Sequence, residues 1–276
     1  MQDQSKQTPI VLTIAGSDSG GGAGIQADIK AISATGSYAC SAITAITAQN
    51  TLGVSAIFPI PVEHLAHQLD AVFSDLNVVA VKVGMLADAN IIKVVADKIR
   101  HYRPQYLVVD PVMVATSGDL LLEQEAISTL KSDLLPLADL VTPNLPEGAA
   151  LTGKAIPSNE QQMQEMASAL LELGASAVLL KGGHLASDNL STDLLITDEG
   201  IEPFSSVRTA TKNTHGTGCT LSSAIASYLA QGNECYRAVQ LAKAYISSAI
   251  EHADELKIGE GHGPVNHFFE GHQGIR

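Results

Sequence analysis

Ile10-Val11-Leu12-Thr13-Ile14-Ala15 runs straight into Gly16-Ser17-Asp18-Ser19-Gly20-Gly21-Gly22-Ala23-Gly24. A short apolar run ending in glycines has the size and the boundary of a buried strand. Residues 22–35 then read as a helix. The same order recurs along the chain. Short apolar runs lie at 78–83, 106–109, 140–142, 177–180 and 194–197. Helical period appears over 62–74, 89–100, 121–135, 159–173, 220–230 and 236–253. In the last of these, Val239, Ala242, Tyr245, Ile246, Ala249 and Ile250 form one apolar stripe. Alternating β and α elements predict an α/β fold: a three-layer α/β/α sandwich around a central, mostly parallel sheet. Residues 40–60 are rich in β-branched side chains and are expected to add a strand or two. No Pro/Gly/Ser-rich linker divides the chain. Residues 9–276 therefore read as a single domain, and residues 1–8 as a mobile N-terminal segment.

Composition narrows the function classes. The chain has 276 residues, 45% hydrophobic and 16% charged, which fits a globular protein with a large core. Lys and Arg total 16 against 29 Asp and Glu, a net charge of −13. Such a field does not attract nucleic acid or an anionic membrane. Any bound phosphate must be held by local amides and a few placed cations. Cys40, Cys219 and Cys235 are odd in number and widely spaced, which argues against a disulfide framework and predicts the cytoplasm. The polar start MQDQSKQTP is no signal peptide, and no run approaches the ~18 apolar residues of a membrane span.

Ligands of open α/β sheets bind at the carboxyl ends of strands, so the loops there carry the chemistry. Gly22 to Ala27 fits G-x-G-x-x-A, a dinucleotide signature, but no acidic residue occurs between Ile29 and Val62 to hold a ribose about 20 residues on. The bare backbone instead suits close approach of a small ligand, and Asp28, a turn into the helix, is placed to reach it. Lys181-Gly182-Gly183-His184 ends another strand; Lys181 is either paired, poised for an anion, or a surface Lys before a turn. Asn213-Thr214-His215-Gly216-Thr217-Gly218-Cys219 leads into a helix. Its glycines let successive amides point one way, and the helix N-terminus adds partial positive charge. Cys219 there is either biased toward thiolate or a small buried hydrophobe. Asp110 follows a strand. In Thr142-Pro143-Asn144-Leu145-Pro146-Glu147, Asn144 and Glu147 suit Mg²⁺ and its waters, or Asn144 simply caps a helix.

Taken in order, Thr13–Asp18, Gly21–Asp28, Ala48-Gln49-Asn50-Thr51, Lys82-Val83-Gly84-Met85-Leu86, Thr142–Glu147, Lys181–His184 and Lys212–Cys219 resemble the hydroxymethylpyrimidine/phosphomethylpyrimidine kinases of thiamine biosynthesis. These are ribokinase-like enzymes. The resemblance spans roughly residues 10–269. It implies two ATP-dependent phosphorylations, of an aminopyrimidine alcohol and then of its monophosphate. It implies a pyrimidine pocket of Gly16, Asp28, Gln49, Met85 and Val112, where a Gln amide matches the donor–acceptor edge of an aminopyrimidine. It implies an anion hole of Gly216, Thr217, Gly218 and Cys219, with Cys219 as base for the first step. Asn144, Lys181 and Thr214 are expected at ATP, Asp110 and Glu147 at Mg²⁺, and a homodimer as the assembly. Ser19-Gly20 stands where Pro-Ser is frequent in the family, which softens that loop. His215 reads as structural or as a phosphate contact, and Cys40 and Cys235 as space-filling. Rival readings are a pyridoxine-type kinase, a kinase that stops after one phosphate, and a sensor that binds without transfer.

Overall fold

The protein is described by a computed structural model over residues 8–113, 124–183 and 189–271. The expected mobile segment, apart from Thr8, lies outside the described residues, as does His184.

The first strand, β1 (Ile10–Ala15), is followed by α1 (Gly24–Ala34), β2 (Tyr38–Ile43), and the pair β3 (Ala45–Asn50) and β4 (Gly53–Pro59). Then come α2 (Val62–Asp75), β5 (Val78–Val83), α3 (Ala89–Tyr102), β6 (Tyr106–Val109) and α4 (Gln124–Thr129). The second half holds β7 (Leu140–Val141), α5 (Leu145–Thr152), α6 (Glu160–Leu171), β8 (Val178–Leu180), β9 (Leu190–Thr197), β10 (Gly200–Val207), α7 (Thr217–Ala230) and α8 (Cys235–Glu251).

Among the described residues the main sheet has eight strands in the order β10-β9-β8-β7-β6-β5-β1-β2. From β2 to β8 every pairing is parallel; β9 and β10 are antiparallel. Period-two alternation explains the layers. Leu12, Ile14, Val81, Val83, Leu107 and Val109 pack on one face with α2, α3, α5 and α6. Val11, Ala80, Val108, Leu140 and Leu179 pack on the other with α1, α7 and α8. Apolar runs without polar alternation are therefore the signature of a sheet covered on both sides.

Several boundaries differ from the periodicity. Residues 40–60 yield the end of β2 plus a separate two-stranded hairpin, β3–β4, outside the main sheet. Strand β10 carries Pro203 and polar residues and hides from an apolar-run search; its edge position tolerates the proline. Helix α5 starts behind an Asn144–Glu147 capping box with Pro146 in its first turn. Beyond α4 the helix loosens into a π turn over Leu130–Leu134 and a 3₁₀ turn over Leu135–Leu137, so the expected 121–135 helix, described from 124 onward, is irregular, and residues 121–123 lie outside the described residues. Helix α7 begins at Thr217, three residues earlier than the apolar periodicity, and so takes in Gly218 and Cys219.

Candidate active site at the strand ends

After β1 the chain turns to β2 on one side and later returns to β5 on the other. The reversal opens a crevice at the carboxyl ends of β1 and β5. The loops after β1, β5, β6, β7 and β8 carry Gly16, Met85, Asp110, Asn144 and Lys181. Lys181 stands directly at the end of β8, in a parallel bridge with Asn144.

Beneath this crevice lies an ion pair. Lys82 Nζ is 2.8 Å from Asp28 Oδ1, and both side chains are 0% exposed. Asp28 also accepts from Thr13 Oγ1 at 2.6 Å and Ser223 Oγ at 2.8 Å. Burial alone would strip Lys82 of its proton, but the Asp28 charge holds its pKa above the ordinary lysine range. These bonds stand against the expectation that Asp28 faces a ligand. Its oxygens are occupied by β1, β5 and α7, so it supports the pocket floor instead of touching what binds above.

The pyrimidine-side residues gather around the glycine loop. A Cβ on Gly16 would lie 2.5 Å from the terminal carbon of Met85, so a side chain there would have to displace that flexible methyl group. Asp18 collects the amides of Gly20, Gly22 and Ala23 at 2.8–3.0 Å and His215 Nε2 at 2.8 Å. Burial pushes its pKa up, yet the His215 and Ala23 bonds outweigh it and leave Asp18 below the ordinary carboxylate range. Strand β3 alternates Ile46 and Ala48 outward with Thr47 and Gln49 inward. A bulge at Ala48/Gln49 re-aims the strand, and Gln49 Nε2 comes within 3.4 Å of His215 Nε2. Gly84, Asp110 and Val112 line one small cavity at the neighbouring strand ends.

The anion side is built on α7. Gly216 caps it with φ 78°, a left-handed backbone, and a Cβ there would lie 1.8 Å from the Gly22 carbonyl. Glycine is thus required both by conformation and by the approach of the two loops. Thr217, Gly218 and Cys219 form the first turn, whose amides have no acceptor within the helix. The Gly218 Cβ position is 3.1 Å from Lys181 Nζ and 3.5 Å from Asp110 Oδ2. Asp110 and Lys181 are paired at 2.8 Å, with Thr142 Oγ1 donating to Asp110 at 3.0 Å. Thr214 is exposed in the approach loop.

For Cys219 the surroundings favour the thiol over the thiolate alternative. Burial pushes its thiol up to about 11, with Asp28 and Asp110 adding to the rise, against the opposing pull of Lys82 and the Gly24 amide. The helix end does not make it a thiolate.

Asn144 does cap α5: its side chain accepts from the Glu147 amide, and Glu147 Oε2 accepts from the Asn144 amide, each at 2.8 Å. Burial, helped by the Asp110 charge and opposed by Lys181, pushes Glu147 up to about 7. Among the described residues no three His, Cys, Asp or Glu side chains are grouped as a metal site. Mg²⁺ needs only one or two carboxylates when phosphates and waters complete its octahedron. Asp110 and Glu147 fit that requirement through water, since each already holds internal bonds.

Sequence reasoning missed Lys82, Thr13, Ser223 and the Asp18–His215 contact. The signal for Lys82 was present as a lone cation inside the apolar run VVAVKV. We expect Asp28→Ala to cost about 3–5 kcal/mol in urea unfolding by stranding a buried cation. Adding Lys82→Met should recover most of that loss. A stable Asp28→Ala protein that has merely lost ligand affinity would return Asp28 to the binding surface.

Comparison with known proteins agrees with this geometry. Residues 18–266 match the family model described as phosphomethylpyrimidine kinase. A hydroxymethylpyrimidine/phosphomethylpyrimidine kinase of Rhizobium meliloti (strain 1021) is 54% identical over 261 residues, covering 95% of this chain and 97% of that protein. A phosphomethylpyrimidine kinase structure from Clostridium difficile 630 superposes with a TM-score of 0.78 at 46% identity, covering 87% of this chain and 99% of that one. The ADP complex of Bacillus subtilis pyridoxal kinase reaches a TM-score of 0.88 at 35% identity, covering 94% and 97%. The sheet order, the glycine loop meeting α7, and these matches together show that the chain belongs to the phosphomethylpyrimidine kinase family, with a ribokinase-like fold.

Proposed function

We propose that the chain uses ATP to phosphorylate 4-amino-5-hydroxymethyl-2-methylpyrimidine and then its monophosphate, supplying the diphosphate for thiamine biosynthesis. The observation that carries this reading is the 3.4 Å approach of Gln49 to His215, the residue just before the Gly216–Cys219 turn. It sets a heterocycle reader next to an anion hole.

Phosphoryl transfer depends on position and charge far more than on covalent chemistry. The pyrimidine rests between Met85 and Val112 with its amino edge on Gln49, and its hydroxymethyl points toward Cys219. The amides of Thr217, Gly218 and Cys219 receive the migrating phosphoryl. Lys181, Asn144 and Thr214 contact the nucleotide. Asp110 and Glu147 would hold Mg²⁺ through water, and the ion would supply neutralisation of phosphate charge there. A thiol near 11 is protonated at neutral pH and cannot itself accept the hydroxymethyl proton, so base action by Cys219 in the first step runs through its small thiolate fraction. The second step attacks with an already ionised phosphate and asks less of it. The free thiols of Cys40, Cys219 and Cys235 support a reducing cytoplasmic setting. Among the described residues no helix is long and apolar enough to cross a membrane. The outward face of β3–β4, with cross-strand partners Ile46 and Phe58 49% and 63% exposed, supports a homodimer.

The similarity to pyridoxal kinases favours a second reading, a B6-alcohol kinase. A coupled ATP assay separates the two. We expect turnover on the pyrimidine alcohol and on its monophosphate, with diphosphate as final product, and far less on pyridoxine. Preference for pyridoxine, or arrest at the monophosphate, refutes the proposal. Cys219→Ala should slow the first phosphorylation at least about tenfold more than the second; equal losses would make Cys219 a packing residue. Phe58→Asp should shift sedimentation from dimer to monomer, and an unchanged profile would remove the hairpin from the interface.

A further inference from the structure

Gln49 is held by two neighbours, and their protons decide which way its amide faces. In the structure its Nε2 lies 3.4 Å from His215 Nε2, and its Oε1 lies 3.2 Å from Thr47 Oγ1. Consider each neighbour in turn. His215 Nε2 is 2.8 Å from Asp18 Oδ2. A carboxylate only accepts, so this nitrogen carries a hydrogen whether the ring is neutral or charged. Asp18 is itself fixed by the amides of Gly20, Gly22 and Ala23. Thr47 has a single hydroxyl proton, and it goes to the Ser17 carbonyl at 2.8 Å, which also only accepts. The one hydrogen on His215 Nε2 goes to Asp18, so His215 offers Gln49 no lone pair and at most a share of that hydrogen, while Thr47 offers it a lone pair.

With the amide nitrogen toward His215, two donors face each other and two oxygens face each other. A half-turn of the amide, which leaves its shape unchanged, sets Oε1 beside the His215 hydrogen and an Nε2 hydrogen on the Thr47 lone pair, and so removes both like-to-like contacts. We infer that Asp18, His215 and Thr47 act as a lock that sets Gln49 with Oε1 toward His215 and Nε2 toward Thr47, and that this lock, resting on the proposed aminopyrimidine reading, selects against the 4-oxo counterpart of the substrate. His215 and Thr47 are positioning residues here; neither needs to touch the ligand.

The selection follows from what remains on Gln49. One lone pair on Oε1 and one N–H on Nε2 are left for a ligand. They match an exocyclic amine beside a ring nitrogen. The 4-oxo pyrimidine presents a carbonyl beside a ring N–H, the reverse order. To receive it in the same pose the amide must turn, which sets its NH₂ against the His215 N–H and its oxygen against the Thr47 oxygen. These like-to-like contacts penalise the wrong ligand, at least about tenfold.

The lock is read directly in the free protein by NMR, with no substrate present. The Gln49 side-chain NH₂ protons should show cross-relaxation to the Thr47 methyl and little to the His215 ring protons. Dominant transfer to the His215 ring would overturn the inference. Kinetics give the second readout. Wild type, Thr47→Val, Thr47→Ser and His215→Leu are compared by the ratio of kcat/KM for the 4-amino alcohol to that for its 4-oxo analogue. Thr47→Val and His215→Leu should each narrow the ratio at least about tenfold, and Thr47→Ser should keep it. Equal losses on both substrates, with the ratio unchanged, would reduce these residues to structural roles and sink the specificity claim. Should the protein phosphorylate neither pyrimidine, the functional reading fails, while the NMR result still decides the lock.

Discussion

The buried pair of Lys82 and Asp28 is the contact on which the crevice depends. It joins α1 to β5, and through Thr13 and Ser223 it reaches β1 and α7 as well. Two unpaired charges at that depth would each cost several kcal/mol, so the elements can close only with the pair formed. Closure brings the first turn of α7 against the glycine loop, where the Gly24 amide donates to Cys219. The glycines are needed at that meeting because the two backbones come too close for any side chain between them.

An acidic chain must concentrate what little positive character it uses. Lys82 and Lys181 are both held above the ordinary lysine range despite burial, by Asp28 and by Asp110 with Glu147 respectively. The α7 amides add attraction for phosphate without adding net charge. Burial, with neighbouring carboxylates adding to it, raises Cys219 to about 11 and Glu147 to about 7, so the thiol is protonated at neutral pH and Glu147 titrates near it. Charge balance, more than any single reactive group, distinguishes this site.

The hairpin β3–β4 shows how an element outside the main sheet brings polar side chains to the strand ends. Period two sends Ile46 outward and Thr47 and Gln49 inward, and the bulge before Gln49 adjusts its aim. Asp18 contributes at a distance: it gathers loop amides and orients His215, which then meets Gln49. One short polar chain thereby links the glycine loop, the hairpin and the start of α7.

From sequence alone, the apolar runs and glycine boundaries determined the parallel sheet, because a strand covered on both faces can afford no polar alternation. The ordered motifs determined the family for the same local reason: turns and caps are written in consecutive residues. The fates of Asp28, Lys82 and Cys219 were decided only by tertiary structure. Whether a carboxylate binds a ligand or a lysine, and whether a thiol ionises, depends on partners that arrive from distant elements and on the water they exclude. Edge strand β10 and the Asp18–His215 contact belong to the same class, since no local periodicity encodes a neighbour 197 residues away.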